Sequence, residues 1–311
     1  MLARIKTNLK YGVKQGREWL QKWGTRRRRQ IVSFLLIFLL SLTLTKVIWE
    51  LVTEEIAIFG FHDIIDVTNT TQMPPQREKR HGDYTKQDLE ELLEYLVKNN
   101  YWFLSTQDLY DYFIGSNTKP IPDSRKGQKR VMITVDDGYQ NAHENILDLA
   151  IKLQEKYDRA IEIVWFVNPP FMGKLGKDIP SGLDRVSCED FRAGLAAGFY
   201  DLQSHGANHT NLTELDSQKL EDDLSKSQQI LRECTRDVDS DRIVANHIAY
   251  PFGAADDRVE NAVKKYYFSG YNYSNQTLKG KLKNPYQIPR VSIHQNIPPQ
   301  RLIRLAKGGW I

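Results

Sequence analysis

The sequence predicts an α/β protein built on a parallel sheet and carried behind a single apolar anchor. Three observations support this. From Ile56 onward short apolar runs alternate with amphipathic helical stretches, and repeated alternation of that kind means parallel strands joined by crossover helices. At 311 residues, 41% hydrophobic and 26% charged, the chain can bury a full core. Ahead of that core a strongly basic segment runs into a long apolar one. The alternation is compatible with a closed barrel or with an open, doubly wound sheet. No glycine-rich phosphate fingerprint follows the first strand, which argues against a nucleotide-binding version.

The elements follow in chain order. Residues 1–30 hold ten Lys/Arg against the single acid Glu18, so the formal net charge of +4 conceals a mildly acidic body behind a basic tail. Charge placed outside the folded part argues against a nucleic-acid partner. Apolar residues of the tail, Leu2, Ile5, Leu9, Val13, Leu20 and Trp23, recur at helical spacing among cations. Such a segment can lie on an anionic inner leaflet or stand as a solvated basic helix. The run "IVSFLLIFLLSLTLTKVIW" follows, broken only by Lys46, and is about as long as a bilayer core requires. No small-x-small cleavage site follows it, so residues 31–51 are expected to form an uncleaved single-pass anchor, N-terminus in the cytoplasm and body outside.

The outer domain, 56–311, opens with the strand "AIFGF" and the helix "TKQDLEELLEYLVKNN", where Thr85 and Asp88 are arranged like a capping box. Then come strand "RVMITV", helix "NAHENILDLAIKLQEKY", strand "IEIVWFV", helix "SCEDFRAGLAAG" and strand "YDLQSH". Helix "DSQKLEDDLSKSQQILREC", strand "NHIAYP", helix "DDRVENAVKKY" and a last strand in "PRVSIH" complete the series. Cys188 and Cys234 match no thiolate metal motif. They are expected to be two buried free thiols, with pairing in an oxidising exterior as the alternative.

Groups that bind metal or move protons recur at the predicted strand ends: Asp136 and Asp137, His205 and His209, and His294. In a parallel barrel the C-terminal strand ends meet at one face, so these distant residues would converge there. Two histidines four apart plus one carboxylate make a facial ligand set that leaves positions open for water and substrate. Adjacent aspartates repel each other when ionised. A cation removes that penalty for one of them and leaves the other to accept a proton.

At these residues the chain resembles the NodB-homology polysaccharide deacetylases, carbohydrate esterase family four. "TVDDG" resembles the family's TFDDG motif, "HGANH" its H-[ST]-x-x-H motif and "AYPFG" its R-x-P-Y motif. "FGFHDI", "YTKQDLEELLEYLVKNNYWFLSTQDL" and "IPRVSI" resemble the opening and closing segments of its poly-N-acetylglucosamine deacetylase branch. The resemblance covers residues 56–298.

It implies a distorted (β/α) barrel of the NodB-homology type and a divalent metal held by Asp137, His205 and His209, zinc first, with cobalt or nickel as alternatives. It further implies Asp136 as general base, His294 as general acid, and a groove wall formed by Tyr250, Pro251, Phe252 and Gly253, with a backbone N–H near Phe252 holding the oxyanion. Tyr139 is expected in the groove. Gly206 stands where the second motif has a hydroxyl, so another group must brace that loop. Ala249 stands where the third motif has the Arg that orients the base, and Arg290 is the candidate substitute. No D-x-x-D-[WY] motif is present to orient His294.

The expected activity is metal-dependent removal of acetyl groups from N-acetylglucosamine residues of a cell-surface or cell-wall polysaccharide. Alternatives are a deacetylase acting on peptidoglycan, a membrane-anchored carbohydrate-binding protein with a degenerate site, and another exterior metallohydrolase such as a phosphoesterase.

Overall fold

The computed structural model describes residues 30–45, 55–72, 80–179, 181–280 and 282–308, together with Trp23, Gly24 and Arg27. The chain divides into two compact units, Met1–Glu54 and Glu55–Ile311. In the first, residues 30–45 form helix α1, with Phe34, Ile37 and Leu40 exposed. No helix among the described residues is long and apolar enough to cross a membrane. The predicted span continues through residues 46–51, which lie outside the described residues, as does most of the basic tail 1–30.

The second unit begins with strands β1 (Glu55–Phe61), β2 (Asp63–Ile65) and β3 (Asp83–Thr85), followed by helix α2 (Lys86–Lys98). Thr85 caps α2: its hydroxyl oxygen accepts from the Asp88 backbone N–H at 3.1 Å, and its O–H donates to the Asp88 carboxylate at 2.6 Å. Leu89, Leu92, Leu93, Leu96 and Val97 form the helix's buried stripe. Next come β4 (Trp102–Phe103), α3 (Thr106–Leu109), β5 (Arg130–Asp136), α4 (Gln140–Tyr157), β6 (Ile163–Val167) and α5 (Cys188–Ala196). Then β7 (Tyr200–Ser204), α6 (Ser217–Thr235), β8 (His247–Ala249), α7 (Asp257–Val263) and β9 (Ser269–Asn272) follow. The short strands β10 (Leu278–Lys279), β11 (Ile288–Pro289) and β12 (Val291–Ser292) and helix α8 (Pro299–Ala306) close the chain.

The main sheet runs β1-β5-β6-β7-β8-β9-β11, every one of these neighbouring pairs parallel. It closes because β12, one residue beyond β11, pairs in parallel with β1. The result is a barrel rather than an open sheet, with Arg290 at the junction of the closing segment. Along β5, Val131, Ile133 and Val135 pack outward with helix residues such as Leu149 and Leu153, whereas Met132 packs inward with Ile58, Val164 and Phe166. Period-two alternation therefore carries Thr134 and Asp136 into the barrel interior.

One sequence expectation is corrected. Cys188 at the start of α5 and Cys234 near the end of α6 form a disulfide, Cα atoms 5.9 Å apart, because the two helices pack side by side.

Candidate metal centre and active site

Asp136 is the last residue of β5 and is fully buried. Arg290, also fully buried, grips it with two parallel bonds, Nη1 to Oδ1 at 2.6 Å and Nη2 to Oδ2 at 2.9 Å. Arg290 Nη1 also donates to Thr134 Oγ1 at 3.0 Å, and the Tyr273 hydroxyl donates to Asp136 Oδ2 at 2.8 Å. Gly60 leaves the space for this tyrosine, since a Cβ there would lie 2.5 Å from its ring. Burial pushes the pKa of Asp136 up, but the Arg290 guanidinium and the His205 and His62 imidazoles together outweigh it and hold the carboxyl well below the usual range. Tyr273 is driven the other way, chiefly by burial, and stays a neutral donor. Arg290 thus gives Asp136 a guanidinium contact that Ala249 cannot.

Asp137 leaves the strand with φ +72°, a left-handed conformation unusual for a residue with a side chain. Its carbonyl accepts from Arg185 Nη1 at 2.7 Å. Its carboxylate oxygen Oδ1 lies 3.3 Å from His209 Nε2 and 3.8 Å from His205 Nε2. One donor atom from each of Asp137, His205 and His209 lies within 4.8 Å of the others. Asp137 Oδ1 is buried yet accepts no hydrogen bond among the described residues. A buried carboxylate oxygen without a partner carries a heavy desolvation penalty, and a cation shared with two imidazoles removes it. The donor set of one carboxylate and two imidazoles therefore fits a divalent ion.

The histidines are aimed before any ion arrives. His205 Nδ1 lies 2.8 Å from the Ala249 carbonyl, which can only accept, so the ring proton sits on Nδ1 and the Nε2 lone pair faces Asp137. Burial, and then the neighbouring His209, push the pKa of His205 down to about 4 against the pull of the aspartates, so the ring is neutral at working pH. The loop between the histidines is fixed by Asp223 of α6. Its Oδ1 accepts from the Ala207 N–H at 2.8 Å; its Oδ2 accepts from the Asn208 backbone at 3.2 Å and side chain at 3.0 Å. Gly206 donates its N–H to Ser204 Oγ at 3.1 Å. With φ +70° and Asp223 Oδ1 only 2.9 Å from where a Cβ would stand, position 206 has no room for the hydroxyl residue of the family motif.

The structure distributes the other predicted residues unequally. Phe252, at φ +60° and 66% exposed, packs its ring on His209 with centroids 4.7 Å apart. Tyr139 is half-buried beneath the Arg185 guanidinium at 4.0 Å. Tyr250 is corrected from groove wall to core: it is fully buried and its hydroxyl donates to the Tyr286 carbonyl at 2.9 Å. Pro251 is buried behind Gly206. His294 lines a cavity with His81 and Arg301, its ring 4.7 Å from that of His81, and these are the groups that perturb it after burial.

Beside the predicted ligand His205, a second imidazole bears on both Asp136 and Asp137: His62, directly after β1, stacked on Tyr273 at 5.9 Å. Its Nδ1 is buried without a hydrogen-bond partner among the described residues. Sequence reasoning did not assign His62, although it follows a predicted strand as the other site residues do. Tyr273 went unassigned because the four-residue strand before it was not predicted.

Residues 123–271 match the family model described as polysaccharide deacetylase. No curated protein matches the sequence. The fold is similar to that of a polysaccharide deacetylase from Bacillus cereus, with TM-score 0.64 and 20% identity over 82% of this chain and 69% of that one. It is similar also to the Streptococcus pyogenes deacetylase PplD, solved in complex with acetate, with TM-score 0.59 and 17% identity over 81% and 98% of the two chains. IcaB from Ammonifex degensii gives 0.57 and 17% over 82% and 97%. At such identities these likenesses speak for the fold. The family match spans the stretch that carries Asp136, Asp137, His205 and His209.

Proposed function

We propose that this protein is a metal-dependent polysaccharide N-deacetylase that removes acetyl groups from N-acetylglucosamine residues of a polymer outside the cytoplasmic membrane. The observation that carries this reading is the buried, unpartnered Oδ1 of Asp137 facing two imidazoles, one residue from an aspartate already held by its own guanidinium. An ion held by Asp137, His205 and His209, zinc by the nature of the donor set, would supply Lewis acidity toward an amide carbonyl and toward water.

The chain's own groups account for the proton traffic. Asp136, kept ionised by Arg290, is the base that takes a proton from the attacking water. Arg290 and Tyr273 hold its carboxylate in one orientation, so no search for geometry precedes the transfer. Hydrolysis leaves an amine that must be protonated as it departs, and His62 is the imidazole placed beside both aspartates for that task. His294, which the resemblance put in this role, stands against His81 instead. The exposed ring of Phe252 beside His209 offers a face on which a sugar can stack.

The location outside the membrane rests on the basic tail and the apolar run at 31–51, and the Cys188–Cys234 disulfide is consistent with an oxidising compartment. A carbohydrate-binding protein with a retired site drew its support from Gly206 and Ala249. Asp223 and Arg290 supply what those two positions lack. The test is acetate release from N-acetylglucosamine polymers by full-length protein, with metal content measured in parallel. Release should stop with chelator and return with zinc, and His205→Ala should lose metal and turnover together. Acetate release that persists in a chelated, metal-free sample would refute the reading.

A further inference from the structure

Beside the reaction centre lies a second polar cavity of about 400 Å³, the size of a small-ligand site. His81, Asn275, Ser292, His294 and Arg301 give it its polar lining, and aliphatic side chains of β12, α8 and the turn between them give the rest. No carboxylate among the described residues lines it. The two imidazole rings stand 4.7 Å apart, and Arg301 makes no ion pair among the described residues. The neighbouring acid Asp83 is turned inward, its carboxylate accepting from the Arg80 backbone N–H at 2.8 Å.

The cavity shares its walls with the active site. Gly82, next to His81, is so close to His62 that a Cβ would lie 3.3 Å from the histidine's own Cβ. Asn275 follows two residues after Tyr273, the donor to Asp136. Ile293, next to His294, donates its N–H to the Gly60 carbonyl at 2.9 Å, which fixes His294 at the end of β1.

We propose that this cavity is an anion subsite that receives a negatively charged substituent, phosphodiester or carboxylate, of the same sugar chain whose amide is cleaved. The proposal rests on the deacetylase reading and narrows it to acidic glycopolymers. A cluster of three potential cations without a carboxylate is unfavourable when empty, because each charge raises the cost of the next. Burial first, and then His81 and Arg301, push the pKa of His294 down, as expected where a counter-charge is lacking. An oxyanion between the imidazoles and the guanidinium would accept hydrogen bonds from all three and from Asn275 and Ser292. A neutral polymer has no use for such a set.

The experiment uses full-length protein and three substrates of matched length: a neutral N-acetylglucosamine oligomer, the same oligomer carrying phosphodiesters, and glycan strands carrying the lactyl carboxylate of muramic acid. KM should be about tenfold lower for an acidic substrate than for the neutral one, and the arm with the lower value identifies the anion. Arg301→Gln should abolish that preference without changing kcat or the neutral KM, and Arg301→Lys should restore part of it. Equal KM values across the three substrates, or a preference that survives Arg301→Gln, would overturn the subsite. Acetate release from none of them would sink the deacetylase reading itself. A separate readout does not depend on turnover: NMR titration of the wild type with inorganic phosphate should shift the His81 and His294 imidazole signals saturably. Unmoved signals would overturn the subsite whatever the enzyme assay shows.

Discussion

The barrel holds buried carboxylates at both ends, and the two ends treat them in opposite ways. At the C-terminal strand ends Asp136 is buried completely and stays ionised, its pKa held far below the ordinary value. At the N-terminal ends Asp201 is buried as thoroughly, accepting from the Thr106 N–H at 2.6 Å, Thr106 Oγ1 at 2.7 Å and Gln203 Nε2 at 2.5 Å, yet burial pushes its pKa up. Near it Glu162 is pushed up to about 8, by burial first and then by the charges of Asp201 and Asp108. The difference is opposite charge: the Arg290 guanidinium first, with the His205 and His62 imidazoles behind it, and no such partner at Asp201. Neutral hydrogen-bond donors stabilise a buried carboxylate locally, but only a fixed opposite charge offsets full desolvation. A buried acid stays ionised at the end where Arg290 stands and holds its proton more tightly at the end without such a partner.

Removing the guanidinium breaks the contrast most completely. Arg290→Gln leaves Asp136 buried without its counter-charge, a loss of about 3–5 kcal/mol for this kind of pair. A large drop in Tm should accompany loss of turnover, and a variant with wild-type Tm and activity would show that the pair carries neither burden. Asp136→Asn keeps shape and most hydrogen bonds, so Tm and metal content should hold while kcat falls about 10²–10⁴-fold, read by steady-state acetate release.

Gly206→Ser, which restores the family's hydroxyl, should harm the protein. It strains a left-handed position against Asp223, and metal affinity by competition titration should weaken about 10–100-fold. Unchanged affinity would mean that the histidine loop is held by something other than Asp223.

The smallest effect belongs to the opposite end. The folded pKa of Glu162, about 8, lies above its reference of 4.5, so the wild type loses stability as pH rises through that interval. Glu162→Gln removes the titration. Tm values of the two proteins should coincide near pH 5 and separate above pH 8, with the variant higher. A gap that fails to open with pH would place the raised proton affinity elsewhere.

Much of the fold was legible because strand-helix alternation is a local signal, and the metal set because strand ends in a parallel barrel share one face. Asp137, His205 and His209 are 68 to 72 positions apart across the two motifs, and the structure brings one donor atom of each together. What the sequence concealed was non-local or depended on orientation. Tyr250 sits inside a motif, but whether its hydroxyl faces a groove or the Tyr286 carbonyl depends on packing across the core. The direction of His294 follows from a closing segment interrupted at Arg290, so a count along the apparent strand does not give its face. The cysteines lie 46 residues apart, and no local pattern announces that α5 meets α6. Tyr273 follows "SGYN", a strand too short and too glycine-marked for periodicity to reveal.

The junction at Arg290 also sets an order of events during synthesis. Asp136 is made 154 residues before the guanidinium that will neutralise its surroundings, and the same late segment supplies the last seam of the barrel. A growing chain therefore holds a raw acid in an unclosed cylinder until Arg290 and the strand after it have been made. Closure of the barrel and the pairing of Asp136 arrive in one step, and a protein truncated before residue 290 would lack both.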